Sequence, residues 1–450
     1  MIRKERDLLG VVSVPIDARY GIQTQRAVDN FPYHRQLTIG HYPNLVKALL
    51  WVKQSAAIAN HQCGYLKDVH KDAILKAVAN IMENPMVEDF PVHRLHGGGG
   101  TSANMNANEI LAFMGNKIID KTEQDGPLHP NDHVNLHQST NDVYPTACRI
   151  SIILEWQSLN TVLKELSEIF TNKADAFMNI NHLARTCLQD AVPITFQGFF
   201  SAYAAFVERG RKRLECDIQQ LHRINLGGTI VGDITTVPSD YLDEVILALQ
   251  QLSNDTLYSR SDNLFDAAQN PDDMLTISGS LDTLARGLIK IAKDIRFLIS
   301  GPEAGLNELF IPAVQPGSSA MPGKVNPVIP EFLIQSCMEA MGKCHTVKMA
   351  MDHGELDLNV WESVMTFNVL DAMDVLEQAV YVFTNKCANG INVNKVVNQK
   401  NCNTTIALLA KLSQIHGYKH INNLCQKALE DQKDIRDILY QNKLIPQKTG

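Results

Sequence analysis

Apolar residues recur along this chain mainly with the period of a helix and seldom with that of a strand, a pattern that predicts an all-α architecture. The clearest run follows Pro145, where Ile152, Trp156, Leu159, Leu163, Leu166 and Phe170 alternate steps of four and three and so fall on one seam of one helix. A second seam comprises Leu281, Leu284, Leu288, Ile291, Ile295 and Leu298. Further long helices are predicted from about 193 to 224, 330 to 353 and 359 to 387, each bounded by Pro, Gly or Asn. Seams on helices this long, lying in mid-chain, predict a central long-helix bundle. Ile153, Leu154 and Ile169 widen the first stripe beyond one seam, which calls for more than one partner surface and favours an oligomer. The seam alone leaves a monomeric bundle open.

The stretch before the first seam reads as shorter helices and polar turns, and a turn at Gly390 and Asn392 precedes the last stretch. The expected organisation is three helical domains: an N-terminal one over 1–140, the long-helix bundle over 141–392 and a small C-terminal one over 393–450. With 450 residues, 45% of them hydrophobic, the chain can bury a large core. A net charge of -8 gives no general attraction for nucleic acid or an anionic membrane, so positive potential for an anionic ligand must be local. Nine cysteines without a C-x-x-C pair suggest reduced thiols rather than disulfides or zinc. The charged start MIRKERDLLG lacks the apolar stretch of a signal peptide, and no apolar run reaches the ~18 residues of a membrane span. The expectation is a cytoplasmic protein.

Three polar segments interrupt the apolar pattern. The first, HGGGGTSANMNANEILAFMGNKI over 96–118, sets Thr101 and Ser102 where a helix carrying Ile110, Leu111, Met114 and Ile118 should begin. Free amides and two hydroxyls at a helix start suit an anion, although a plain cap after a flexible turn reads equally well. No Gly-Lys-Ser/Thr follows, so this is not a nucleotide loop. The second, HPNDHVNLHQSTNDVYPTACRI over 129–150, brings Ser139, Thr140 and Asn141 just before the first seam. Pro and turn residues lie between the histidines of HPNDH, unlike the helical His-x-x-x-His of zinc enzymes, whereas its hydroxyls and amides suit a carboxylate. In the third, over 301–331, Gly317 and Gly323 flank Ser318 and Ser319, with prolines fixing bends, as in a mobile loop; Lys324 and Asn326 alternate and can face one side.

The stretch GSSAMPGKVNP over 317–327 resembles the signature loop of the aspartase/fumarase superfamily. The other two segments resemble its other active-site regions in the same order. The likeness extends from DLLGVVSVPIDARYGIQTQRAVDNF through ELDLNVWESVM to the tail, and so covers nearly the whole chain. It implies three helical domains, a homotetramer whose central helices form one bundle, active sites shared between subunits, a small dicarboxylate substrate and no cofactor. GTSANMN, STND, AGLNE, DLLG and LNVWESV resemble the aspartase branch; Gly323 in MPGK is the fumarase-like choice. The implied activity is elimination of ammonia from L-aspartate to give fumarate, with fumarate hydration or release of fumarate from another compound as the alternative.

Removing ammonia from aspartate means taking a proton from the carbon beside a carboxylate, and the resulting carbanion is tolerable only as an aci-carboxylate dianion. The resemblance makes Ser318 the general base. It gives the β-carboxylate to Thr101, Ser139, Thr140 and Ser319, with Ser102 beside them. The α-carboxylate goes to Thr186, Lys324 and Asn326, and the amino group to Asn141. Cys187 joins the binding residues where fumarases and some aspartases have His and other aspartases have Gln; as a thiol without an adjacent His or Lys it reads as neutral and packed rather than nucleophilic. His137 for Ser, Glu303 for Arg and GDITT from Gly232 are further departures, and all four bear on which substrate is used. The Cys187 departure bears on water activation: in fumarases that His pairs with a Glu matching Glu331.

Overall fold

The first seam folds into a single helix, Thr140–Ala176, in a computed structural model that describes residues 1–32, 37–119 and 126–446. The expected N- and C-terminal domains therefore include residues, 33–36, 120–125 and 447–450, that lie outside those described. All six residues of each seam are buried, none more than 6% exposed.

The helix starts earlier than Pro145 suggested. Proline removes the N–H that would bond back to the carbonyl of Asn141. That carbonyl instead accepts Asn225 Nδ2 at 2.8 Å, so the proline is tolerated inside the first turns. A second correction concerns Pro193. It lies in a strand, Gln189–Thr195, paired antiparallel with Asn181–Thr186, and the next helix is Phe196–Gln220. The other long helices are Asp272–Leu298, Val328–Met351 and Glu362–Lys386. The fold is all-α, with a few short two-stranded pairings. Among the described residues no helix is long and apolar enough to cross a membrane.

The chain divides into two compact units, the first of residues 1–161, 210–285 and 336–377 and the second of 162–209, 286–335 and 378–450. In the first, the N-terminal hairpin pairs Ile2–Asp7 with Gly10–Pro15. The Pro43–Gln62 helix packs on Ser239–Ser253, and Asp68–Glu83 packs on Thr101–Ile118. Ile110 and Leu111 are buried as their spacing predicted, whereas Ile118, in the last turn, is exposed. Tyr144 shares a buried hydrogen bond with Ser363, and Arg149 pairs with Asp273. In the second unit, Phe170, Phe196, Phe200 and Tyr203 form an aromatic cluster, with Tyr203 Oη donating to Asp294 at 2.7 Å. Its C-terminal helices close on Leu412, Ile421, Ile438 and Leu439.

Glu362 opens its helix in the first unit and is buried within range of Arg149 and Asp273. Burial pushes its carboxyl up to about 8, against the pull of Arg149 and with the help of Asp273. A folded pKa raised above 4.5 means that the folded protein keeps a proton the unfolded chain releases, so stability declines as pH rises from 4.5 to about 8. Glu362→Gln should therefore melt above the wild type by a margin that widens between about pH 5 and 8. A margin flat with pH would show that Glu362 does not titrate in this window.

Candidate active site

The glycine run before Thr101 is required by geometry. Gly98, Gly99 and Gly100 take φ of 88°, 58° and 91°, and a Cβ on Gly100 would lie 2.2 Å from the Tyr144 ring. Thr101 is the first residue of its helix, as the sequence indicated, and no side chain caps that start. The Thr101 N–H is taken by the Gly98 carbonyl at 3.1 Å, and among the described residues no hydrogen bond engages the amides of Ser102 and Ala103. Thr101 is exposed and Ser102 half-buried.

The second segment is built around a buried carboxylate. Asp142 accepts the N–H groups of Ser139 at 2.8 Å, Gly227 at 2.9 Å and Thr229 at 3.2 Å. The Ser139 hydroxyl accepts Asn141 N–H at 3.3 Å. The Ser139 and Asp142 bonds cap the helix that follows, Ser139 Oγ on the Asn141 amide and Asp142 on the Ser139 amide, which explains Ser-Thr-Asn-Asp at this position. Burial raises the Asp142 carboxyl to about 6 although the three amides and Lys53 pull it down.

Thr140 Oγ1 accepts Asn104 Nδ2 at 3.1 Å, which joins the first polar segment to the second. Both hydroxyl oxygens, Ser139 and Thr140, therefore accept an N–H and retain a proton to donate to an anion. Asn141 gives its Nδ2 to the carbonyl of Ile230 at 2.7 Å, which leaves its Oδ1 as the end of the amide able to accept.

In the second unit the serine loop is a ring. Gly317 N–H donates to the Lys324 carbonyl at 2.8 Å, and Asn326 Nδ2 donates to the Gly317 carbonyl at 2.8 Å. Ser318 Oγ lies inside and accepts two backbone amides, Ala320 at 3.1 Å and Met321 at 3.0 Å. A hydrogen bond to an oxyanion is worth about 1.5–3 kcal/mol, more than one to a neutral hydroxyl, so the two amides favour an ionised oxygen here. Ser319 and Lys324 are exposed, and among the described residues Lys324 has no ion-pair partner.

Thr186 and Cys187 lie at the tip of the Asn181–Thr186 and Gln189–Thr195 hairpin, and both are exposed. Cys187 is thus not the packed thiol expected. It sits in a tight turn where it and Leu188 take φ of 51° and 61°. Among the described residues no hydrogen bond joins this tip to the serine loop. The adjoining Arg185 grips buried Glu308 through both Nη atoms, at 3.1 and 2.5 Å.

The other departures have structural places. His137, at φ 57°, shares a 2.6 Å hydrogen bond between its Nδ1 and Asn60 Oδ1. Glu303 lines a 280 Å³ cavity with Arg185, Asp190 and Lys400. Gly232 of GDITT approaches so closely that a Cβ there would lie 2.5 Å from the Leu264 backbone. The Nδ1 atoms of His129 and His133 accept backbone N–H groups. Among the described residues, Glu155, Asp374 and Glu377 are close enough to share a cation, and none belongs to the polar segments.

Lys53 went unnoticed in the sequence. It is 0% exposed and donates to Asn135 Oδ1 at 2.9 Å and Gln138 Oε1 at 3.0 Å, directly behind Ser139. Its signal was a lysine inside the apolar run LLWVKQSAAIAN, where such a residue is almost never fully buried without partners.

An all-α chain whose polar segments present hydroxyl donors, and whose serine oxygen is cradled by two amides, has the apparatus of a lyase that makes a carbanion beside a carboxylate. A family model described as a lyase matches residues 10–342. Aspartate ammonia-lyase of Pseudomonas aeruginosa is 38% identical over 449 residues, spanning 99% of this chain and 94% of that one. Fumarate hydratase class II of Oceanobacillus iheyensis is 35% identical over 439 residues, spanning 97% and 94%. A crystal structure titled fumarate lyase:delta crystallin from Brucella melitensis, bound to cobalt, matches with a TM-score of 0.91 at 38% identity, covering 98% of this chain and 96% of that chain. The chain belongs to this lyase family, the aspartase/fumarase superfamily.

The serine ring depends on Gly317, because a Cβ there would lie 2.6 Å from Asn326 N. Gly317→Ala should open the ring: limited proteolysis within the 317–324 loop accelerates several-fold while global stability changes by less than about 0.5 kcal/mol. Unchanged cleavage would mean that these two bonds do not close the loop.

Proposed function

We propose that this protein is a cytoplasmic ammonia-lyase that interconverts L-aspartate with fumarate and ammonia. In this reading it is a homotetramer with active sites shared between subunits, acts on a small dicarboxylate, uses no metal or organic cofactor, and has no nucleic-acid or membrane partner. The observation that carries the reading is the pair of backbone amides on Ser318 Oγ. They favour the alkoxide that a serine base requires, and closure of the loop, excluding water and bringing Lys324 near, supplies the rest.

Ser318 then takes the Cβ proton of aspartate, and the electron pair passes into the β-carboxylate to give the aci-carboxylate dianion. Thr101, Ser102, Ser139, Thr140 and Ser319 hold that carboxylate, the hydroxyls donating where charge accumulates. Thr186, Lys324 and Asn326 hold the α-carboxylate, and Asn141 Oδ1 receives the ammonium. As the dianion collapses, the Cα–N bond breaks, its electrons leave with nitrogen, and ammonia and fumarate separate.

The relatives named aspartate ammonia-lyase support this substrate, and the relative named fumarate hydratase keeps malate as the second reading. Cys187 favours the first. Hydration needs a group that shuttles a proton to and from water, and a neutral thiol is a weak donor and poor acceptor. Ammonium departs already protonated. Glu331, moreover, is engaged by Arg296 at 3.0 Å.

Fumarate formation followed by ultraviolet absorbance should be faster from L-aspartate than from L-malate, and Cys187→His should raise the malate rate. Faster turnover of malate by the wild type would replace this reading with the fumarase one. Ser318→Ala should lower turnover by about a hundred- to ten-thousandfold while ground-state ligand binding persists. A solution mass near four times 50.1 kDa is expected, and mixed Ser318→Ala and Thr186→Ala subunits should regain activity. A monomer mass would rule out shared sites.

A further inference from the structure

We propose that Lys53 is a positioning residue that sets the direction of the Thr140 hydroxyl proton, acting through the side-chain amides of Asn135 and Asn104. The inference rests on the reading of Thr140 as a carboxylate donor and extends it to a residue which that reading does not include.

An amide side chain can turn over, exchanging donor for acceptor, and a hydroxyl can rotate, so neither has a direction of its own. A lysine ammonium can only donate, and a neutral amine set between two amide oxygens gives one N–H to each. Lys53 Nζ, buried and 2.9 Å from Asn135, therefore requires the carbonyl oxygen of Asn135 to face it. The backbone carbonyl of Gln138, accepting Asn135 Nδ2 at 3.0 Å, holds the other side of the same amide. With Asn135 Oδ1 fixed as an acceptor, the buried asparagines beside it must present N–H groups: Asn104 Nδ2 at 3.2 Å and Asn108 Nδ2 at 3.1 Å. The second proton of Asn104 Nδ2 then points at Thr140 Oγ1, 3.1 Å away. Thr140 must accept it, and its own proton is directed to whatever occupies the site.

Two orphaned atoms support this order. Among the described residues, Asn104 Oδ1 and Asn108 Oδ1 have no hydrogen-bond partner, although the residues are 1% and 0% exposed. Leaving a buried carbonyl unpaired is costly. The cost is understandable if both amides are held donor-first toward one oxygen. Among the described residues the Lys53 hydrogen bonds go to neutral amide oxygens, those of Asn135 and Gln138. Asp142 is the nearby opposing charge, and burial pulls Lys53 down to about 7.

The test is calorimetric binding of succinate, an unreactive dicarboxylate, with kcat and KM measured alongside. Lys53→Met releases the chain of orientations. Asn104→Asp, nearly the same in shape, reverses one link by placing an acceptor opposite Thr140. Both should weaken succinate binding about ten- to a hundredfold and raise KM, as expected for a lost hydroxyl-to-carboxylate bond. A merely structural role would lower the active fraction and leave the dissociation constant unchanged. Succinate affinity within about twofold of wild type in either folded variant overturns the proposal. A neutron structure of the wild type needs no variant to fold: the Thr140 deuteron should point away from Asn104, and a deuteron on the line between them also overturns it. Failure of the wild type to bind any dicarboxylate would instead overturn the proposed function, while the deuteron position would still be read.

Discussion

The convergence of three backbone amides on the buried Asp142 carboxylate is the constraint on which the first unit's site depends. One bond closes the start of the Thr140–Ala176 helix, and the other two bring in the turn at Gly227 and Thr229, which in turn supplies the Ile230 carbonyl that orients Asn141. Pro145 adds to the same arrangement by freeing the Asn141 carbonyl for Asn225. Without the carboxylate, the helix start and the turn would each leave amides unpaired, and Ser139, Thr140 and Asn141 would lose their common frame.

The Ser318 loop solves a related problem with different means. Its hydroxyl oxygen accepts two amides supplied by a ring only a few residues around. Such a cradle holds a charged oxygen more tightly than a neutral one, because hydrogen bonds to an ionised acceptor are the stronger.

Much of this was legible in the sequence, for identifiable reasons. Both seams were readable because burial on a long helix leaves a regular spacing, and the start of the Thr101–Ile118 helix because glycines followed by hydroxyls mark a helix entrance. The hairpin carrying Thr186 was missed because its strands are short and mostly exposed, and hence leave little alternation. Pro145 misled because the compensating partner, Asn225, is remote in sequence. Lys53 was passed over for a similar reason: its role is defined by Asn135 and Gln138, and periodicity speaks only of polarity along one helix.

The turn at Cys187 and Leu188 has a consequence for anyone remodelling the site by random mutagenesis. Both residues occupy the left-handed region, which costs an ordinary side chain on the order of 1–2 kcal/mol and asparagine or glycine much less. Every replacement at 187 therefore changes two quantities together, the chemistry offered at the tip and the ease with which the tip keeps its shape. A screen scored on yield or heat tolerance would enrich glycine and asparagine there for conformational reasons alone. Such winners would carry no information about the reaction. Libraries at this position become interpretable only when each variant is compared with others of equal left-handed preference.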